Sequence, residues 1–164
     1  MKAEIAKILQ RDLAAIRREI EAYPSEADLW KSPPGITNPG GTMALHVAGN
    51  LRHFFGAVLA KDGFVRDRSA EFAARDVPRA DIVARLDAAA AAVARALDSL
   101  PESRLDEPYP VDFDGLSLSV RQFVLHLAVH LAYHLGQIDY HRRLVTGDAR
   151  TVRAASIPEL GVRA

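Results

Sequence analysis

Residues 119–145 read SVRQFVLHLAVHLAYHLGQIDYHRRLV, and this leucine-rich segment decides the fold of the chain. Ser119 can cap a helix, because its hydroxyl accepts from a backbone N–H that lacks an intrahelical partner. Gly147 follows at a position where helix ends favour glycine. We therefore predict one long helix from Ser119 to about Val145. It carries four of the six histidines of the chain, His126, His130, His134 and His141.

Three other segments have apolar residues at spacings of three and four, which is typical of an amphipathic helix. Residues 31–41, KSPPGITNPGG, predict a loop after the first of them, because proline and glycine disfavour helix and strand. Pro24 and Pro101 end two of the helices. The predicted ranges are about Lys2–Tyr23, Met43–Lys61 with Thr42 as its N-cap, and Arg79–Leu100.

The remaining segments connect these helices or follow them. Residues 64–78 are polar and mixed, and predict a surface connection with a short helical turn. Residues 105–118 contain two prolines and an Asp114-Gly115 turn, and predict a small hairpin or an extended lid. The sequence thus predicts a single all-α domain over residues 1–164, a four-helix bundle with an irregular insertion before its last core helix and a tail at residues 148–164.

Composition and charge exclude several classes of protein. Lys plus Arg and Asp plus Glu are 21 each, so the formal net charge is zero and no nucleic-acid partner is expected. The absence of cysteine excludes disulfides, thiolate metal sites and a cysteine nucleophile. Charges every few residues near the N-terminus argue against a signal peptide or a membrane span. We therefore expect a cytoplasmic protein.

The histidines predict a metal site. His130 and His134 are four residues apart, so both imidazoles can point to one position beside the helix. His46 lies in the apolar segment MALHVAG of the second helix, and an inward-facing imidazole there needs a partner. We predict that these three side chains hold one divalent ion, which leaves a coordination position open.

Other residues can act next to these ligands or replace them. His126 lies one turn before His130, but about 80° around the helix from His134, so we interpret it as an outer residue or as the first alternative ligand. Asn50, one turn after His46, is a candidate hydrogen-bond partner of a ligating imidazole, and an ordinary polar residue in the other interpretation. Two histidines at this spacing also occur by chance, so the pair His130 and His134 does not by itself establish a metal site.

Two segments resemble the DinB-like family of metal-binding four-helix bundles. GGTMALHVAGNLRHFFGAVL is similar to its second helix, which contributes one histidine. HLAVHLAYHLGQIDYHRRL is similar to its last core helix, whose HxxxHxGQ pattern corresponds to His130, His134, Gly136 and Gln137. The resemblance implies the same three ligands, with Gln137 either orienting a ligand or packing between helices. A glycine inside a helix usually permits a close approach, which is our interpretation of Gly136.

The resemblance also implies a function, that of a metal-dependent thiol S-transferase or an isomerase-like enzyme. A low-molecular-weight thiol would bind as a metal thiolate and attack a small electrophile, in a homodimer without a membrane partner. We expect zinc or nickel, with iron as a further candidate, because neutral imidazoles suit all three. No catalytic residue is assigned. The alternatives are a metal-binding or stress-response module without turnover, and a helical interaction protein whose histidines form hydrogen bonds only.

Overall fold

A computed structural model describes residues 1–161 and confirms the all-α fold class. Four long helices form the bundle, and a short fifth helix lies in the connection where the sequence predicts a helical turn. Short 3-10 turns occur in the connections and in the tail. The helices are α1 (Lys2–Glu21), α2 (Gly40–Leu51, continued as a π-helix over Arg52–Leu59), α3 (Arg68–Ala73), α4 (Arg79–Ser99) and α5 (Val120–Thr146).

The direction of each long helix follows from contacts at its ends. Met1 and Glu19 of α1 contact Arg121 and Arg142 of α5, so these two helices are parallel. α4 runs against α1, because the Lys2 ammonium donates to the Leu100 carbonyl. α2 runs parallel to α4 and antiparallel to α5. The bundle is therefore up-down-down-up, and the connection that contains α3 crosses the length of the bundle.

The start of α2 corrects the sequence prediction. The helix begins at Gly40 with Pro39 as its N-cap, whereas we predicted a loop to residue 41 and a cap at Thr42, which is buried inside the first turn. Both glycines are needed for packing: a Cβ on Gly40 would collide with the Tyr23 hydroxyl, and one on Gly41 would lie 2.9 Å from the Trp30 ring. The two glycines allow the start of α2 to approach α1 and the following turn closely.

The start of α5 agrees with the sequence prediction. The Ser119 hydroxyl accepts from the Gln122 amide N–H and the Gln122 side chain accepts from the Ser119 N–H, which is a capping box. The preceding insertion is hairpin-like, with isolated antiparallel bridges and no extended strand among residues 1–161. Its turn is Asp114-Gly115, where both residues have positive φ.

The segment after α5 lies against α1. The Arg18 guanidinium donates to the Val152 carbonyl at 3.0 Å, and Arg142 donates to the carbonyls of Asp148 and Arg150. Residues 162–164 of the predicted tail lie outside the described range. None of the helices within residues 1–161 has the length and apolar character needed to cross a membrane.

Candidate metal centre

Three imidazoles from two helices converge at the centre of the α2–α5 contact. One ring nitrogen from each of His46, His130 and His134 lies within 4.8 Å of the other two. The Nε2 atoms of His130 and His134 are 3.1 Å apart, as their four-residue spacing predicts. His46 reaches them from α2, with ring centroids 5.4 and 5.1 Å from theirs. We name these three residues the histidine cluster.

The outer nitrogen of His46 faces a buried carboxylate that the sequence analysis did not identify. His46 Nδ1 lies 3.3 Å from Oε2 of Glu71 and also 3.3 Å from the Arg66 guanidinium. Arg66 already donates to both Glu71 oxygens at 2.7 Å. A guanidinium only donates, so an Nδ1–H on His46 has Glu71 Oε2 as its acceptor, and in this tautomer Nε2 is the nitrogen left to face the cluster.

Glu71 is held ionised in a closely fitted position. Burial acts to raise the pKa of its carboxyl, but hydrogen bonds from Arg66 and His46 outweigh burial, and the pKa is lowered. Glu71 reaches His46 past Gly49 of α2, where any Cβ would collide with Oε1. An ionised carboxylate behind a histidine is the arrangement that orients metal-binding imidazoles in proteins. We had predicted a polar surface connection here, and no spacing in residues 64–78 indicates this role.

His134 has an outer partner as well. Its Nδ1 lies 2.6 Å from the Gln137 side-chain oxygen, which accepts, so Nε2 again faces the cluster. Burial is the main cause that lowers the pKa of His130 to about 4, and the neighbouring His134 and His46 add to this shift. Burial also lowers the pKa of His134, against an opposing effect of the Gln137 bond. These two imidazoles are therefore neutral at pH 7, the form that binds metal ions.

The structure separates the remaining predicted residues from the cluster. His126 is exposed, with its ring centroid 6.1 Å from that of His130, and offers no nitrogen to the convergent group. Asn50 is buried, and its side-chain oxygen has no hydrogen-bond partner within residues 1–161. Its predicted role behind His46 is filled by Glu71. A Cβ on Gly136 would have nothing within 4 Å among the described residues, so no other backbone of this chain makes the close approach that we predicted there, and the approach of a ligand stays a prediction.

A groove runs beside the histidine cluster between residues 35–38 and α5. Its volume is about 490 Å³. Met43, one turn before His46, and Gln137, the partner of His134, both line it, whereas none of the three cluster histidines does. No aspartate, glutamate, lysine or arginine side chain lines it. A second pocket, of about 370 Å³, lies behind Glu71 between α2 and α4 and does not include a cluster histidine.

Residues 4–147 match a family model described as mycothiol-S-transferase. The chain belongs to this family. It is a DinB-like family, so the resemblance stated above is confirmed, and the match covers every helix from α1 to α5. A search of curated proteins found no match.

The residues of this family member fit a divalent metal ion. Two of the three imidazoles, His46 and His134, have Nδ1 directed to an oxygen acceptor, which leaves the Nε2 lone pair for coordination. Facing lone pairs 3.1 Å apart, as in His130 and His134, repel unless a proton or a cation lies between them. A neutral, all-nitrogen donor set of this kind suits zinc, nickel or iron.

Proposed function

We propose that the chain is a metal-dependent thiol S-transferase, with His46, His130 and His134 as the ligands of one divalent ion. The convergence of these three imidazoles, with outer nitrogens oriented by Glu71 and Gln137, is the observation that carries the proposal. Such an ion has open positions and lowers the pKa of a bound thiol toward neutrality. Zinc or nickel is the expected metal, and iron the next candidate.

The cosubstrate that we propose is mycothiol, the thiol in the description of the family. The thiol gives up its proton to solvent, and its sulfur forms a bond to carbon of a small electrophile. The leaving group departs with the electrons of the bond that breaks. Gln137 both orients His134 and lines the groove, so the groove is our proposed route for the thiol. The reaction takes place in the cytoplasm, where thiols stay reduced. The protein acts as a homodimer.

Elemental analysis of natively purified protein tests the metal site. We expect one equivalent of zinc, nickel or iron in the parent, and loss of stoichiometric metal in the His46→Ala, His130→Ala and His134→Ala variants. His126→Ala is the matched control, because His126 lies on the same helix outside the cluster, and it should retain the metal. A parent that binds no metal even after incubation with zinc or nickel contradicts the proposal and leaves an interaction protein.

A conjugation assay tests turnover separately. Mycothiol displaces chloride from chlorodinitrobenzene as a simple probe electrophile, with the thiol proton released to the buffer. We expect product only with metal-loaded parent and His126→Ala protein. A protein that binds metal stoichiometrically but turns over no thiol with several electrophiles would instead be a metal-binding module without catalysis.

A further inference from the structure

One side of α5 is exposed, apolar and free of charge. Five large side chains on it are exposed to solvent by 43–76 %, although α5 is otherwise a core helix. The chain has 26 % charged residues, yet none of the exposed positions of α5 from Gln122 to Leu144 carries a charge, and the charged Asp139 and Arg143 of this range are half-buried. We call this surface the α5 outer face. It consists of Leu125, Val129, Tyr133, Gly136, Tyr140 and Leu144.

We infer that a second copy of this chain docks on the α5 outer face through an antiparallel pairing of the two α5 helices. The inference rests on the homodimer proposed above and specifies its surface. The face residues are spaced by four, four, three, four and four, a pattern that reads the same in both directions. A two-fold axis perpendicular to a helix requires this property, because each residue must meet its counterpart in the reversed order.

The symmetric pairing gives complementary contacts. An axis midway between Tyr133 and Gly136 places Tyr133 against Gly136 of the second copy, so the largest central side chain meets the position without one. Val129 then faces Tyr140, and Leu125 faces Leu144. A glycine inside a helix is less favourable than an alanine at the same position. Within residues 1–161, no atom outside the adjacent turns of α5 lies within 4 Å of where a Cβ on Gly136 would be, so a second copy supplies the close neighbour that this glycine permits.

The area of the face is in the range that a dimer needs. With about 150–250 Å² per large side chain, the exposed fractions amount to on the order of 600 Å² per copy, near the roughly 800 Å² per partner of a standard interface. The neighbouring insertion and loop 35–38 would add to this area. Tyr140 and Leu144 also line the groove beside the histidine cluster. The second copy therefore forms an outer wall of this groove.

Sedimentation equilibrium of the metal-loaded full chain tests the face. We expect the parent to be dimeric and Val129→Glu to raise the dimer dissociation constant at least about 100-fold, because two carboxylates would be buried opposite apolar side chains. Val65→Glu is the matched control, since Val65 is 88 % exposed and lies outside the face. A monomeric parent, or a Val129→Glu protein as dimeric as the parent, overturns the inference.

Cross-linking tests the antiparallel register. The chain has no cysteine, so Leu125→Cys and Leu144→Cys each provide a unique thiol. A short bismaleimide should link a mixture of the two variants but not Leu125→Cys alone, because the two copies of that thiol would be about 28 Å apart along the helices. Efficient linking of Leu125→Cys alone contradicts the register.

Metal content measured on all variants separates a failure of the dimer or its register from a failure of the metal site. If the parent is monomeric and Val129→Glu raises only the KM for the thiol, the α5 outer face binds substrate and not a second copy.

Discussion

Two buried histidines, about two turns apart on α5, differ in how the protein satisfies their ring nitrogens. His141 is satisfied on both sides: Nδ1 accepts from the Tyr23 hydroxyl at 2.7 Å, and Nε2–H donates to the Lys31 carbonyl at 2.8 Å. Only Nδ1 of His134 has an oxygen partner, the side-chain oxygen of Gln137, and its Nε2 faces Nε2 of His130. We call the group of Tyr23, His141 and the Lys31 carbonyl the His141 network.

Both histidines have a pKa lowered first by burial, so burial does not distinguish them. The difference lies in what the second nitrogen meets. A histidine whose partners are all within the chain stabilises the fold, since breaking either bond leaves a buried polar group unpaired. Histidines that direct nitrogens at one another need a proton or a cation between them, and a metal ion can fill this position. This contrast between the His141 network and the histidine cluster makes separate predictions for stability and for metal binding.

The largest expected effect is stabilisation by metal, which should depend on the histidine cluster alone. At a free zinc or nickel concentration about 1,000 times the dissociation constant, the free energy of unfolding of the parent should rise by about 4 kcal/mol. His134→Ala should abolish this increase. Urea denaturation of metal-free protein, with and without added metal, measures it. A variant that is stabilised as much as the parent would show that the ion binds elsewhere.

The second effect is the reverse, a loss of stability with metal binding retained. His141→Ala removes a buried ring, leaves the Lys31 carbonyl without this donor and leaves the Tyr23 hydroxyl with only its 3.4 Å contact to the Ile138 carbonyl, so the free energy of unfolding should fall by about 3 kcal/mol. The metal-to-protein ratio should stay at one. Denaturation and elemental analysis of the same preparation test both statements. A His141→Ala protein that folds normally but has lost its metal would remove the distinction between the two groups.

The sequence predicts the histidine cluster better than it predicts the contacts between distant segments of the chain. The spacing of His130 and His134 makes them neighbours on α5, because residues four apart on a helix share a face. His46 followed from its apolar surroundings together with the DinB-like motif. The structure brings it to the other two, as a metal site on these residues requires. Local periodicity and one motif were therefore sufficient to nominate the three residues.

Contacts between distant segments could not be predicted in this way. Glu71 lies in a polar connection, and only the folded chain shows that it reaches His46 past Gly49. Gly40 and Gly41 were interpreted as loop residues, although their missing side chains serve packing against Tyr23 and Trp30. A glycine has the same appearance in a sequence whether it permits a turn or a close contact, and tertiary structure decides between them.

The third prediction concerns the strength of metal binding and the carboxylate behind His46. Glu71→Gln keeps the shape of the side chain but removes the charge that orients His46 and pairs with Arg66. Loss of such an outer partner typically weakens metal binding about 10- to 100-fold. Competition with a chromophoric chelator measures the dissociation constant. Asn50→Ala is the control, because its side-chain oxygen makes no hydrogen bond in the part of the chain that the structure describes. Equal affinities of the two variants would remove Glu71 from the site.

The smallest expected effect is a pH dependence that the His141 network alone contributes. Burial lowers the folded-state pKa of His141 from 6.5, and the hydrogen bond to the Lys31 carbonyl opposes this shift. The unfolded chain therefore binds a proton more readily than the folded one, and stability is lost as pH falls below 6.5. His141→Gln cannot titrate, so the difference in unfolding free energy between parent and variant should shrink between pH 7.5 and pH 5. Histidines of the cluster titrate equally in both metal-free proteins and cancel in this difference. A difference that is constant over this range would mean that burial does not hold the pKa of His141 below 6.5 in the folded chain.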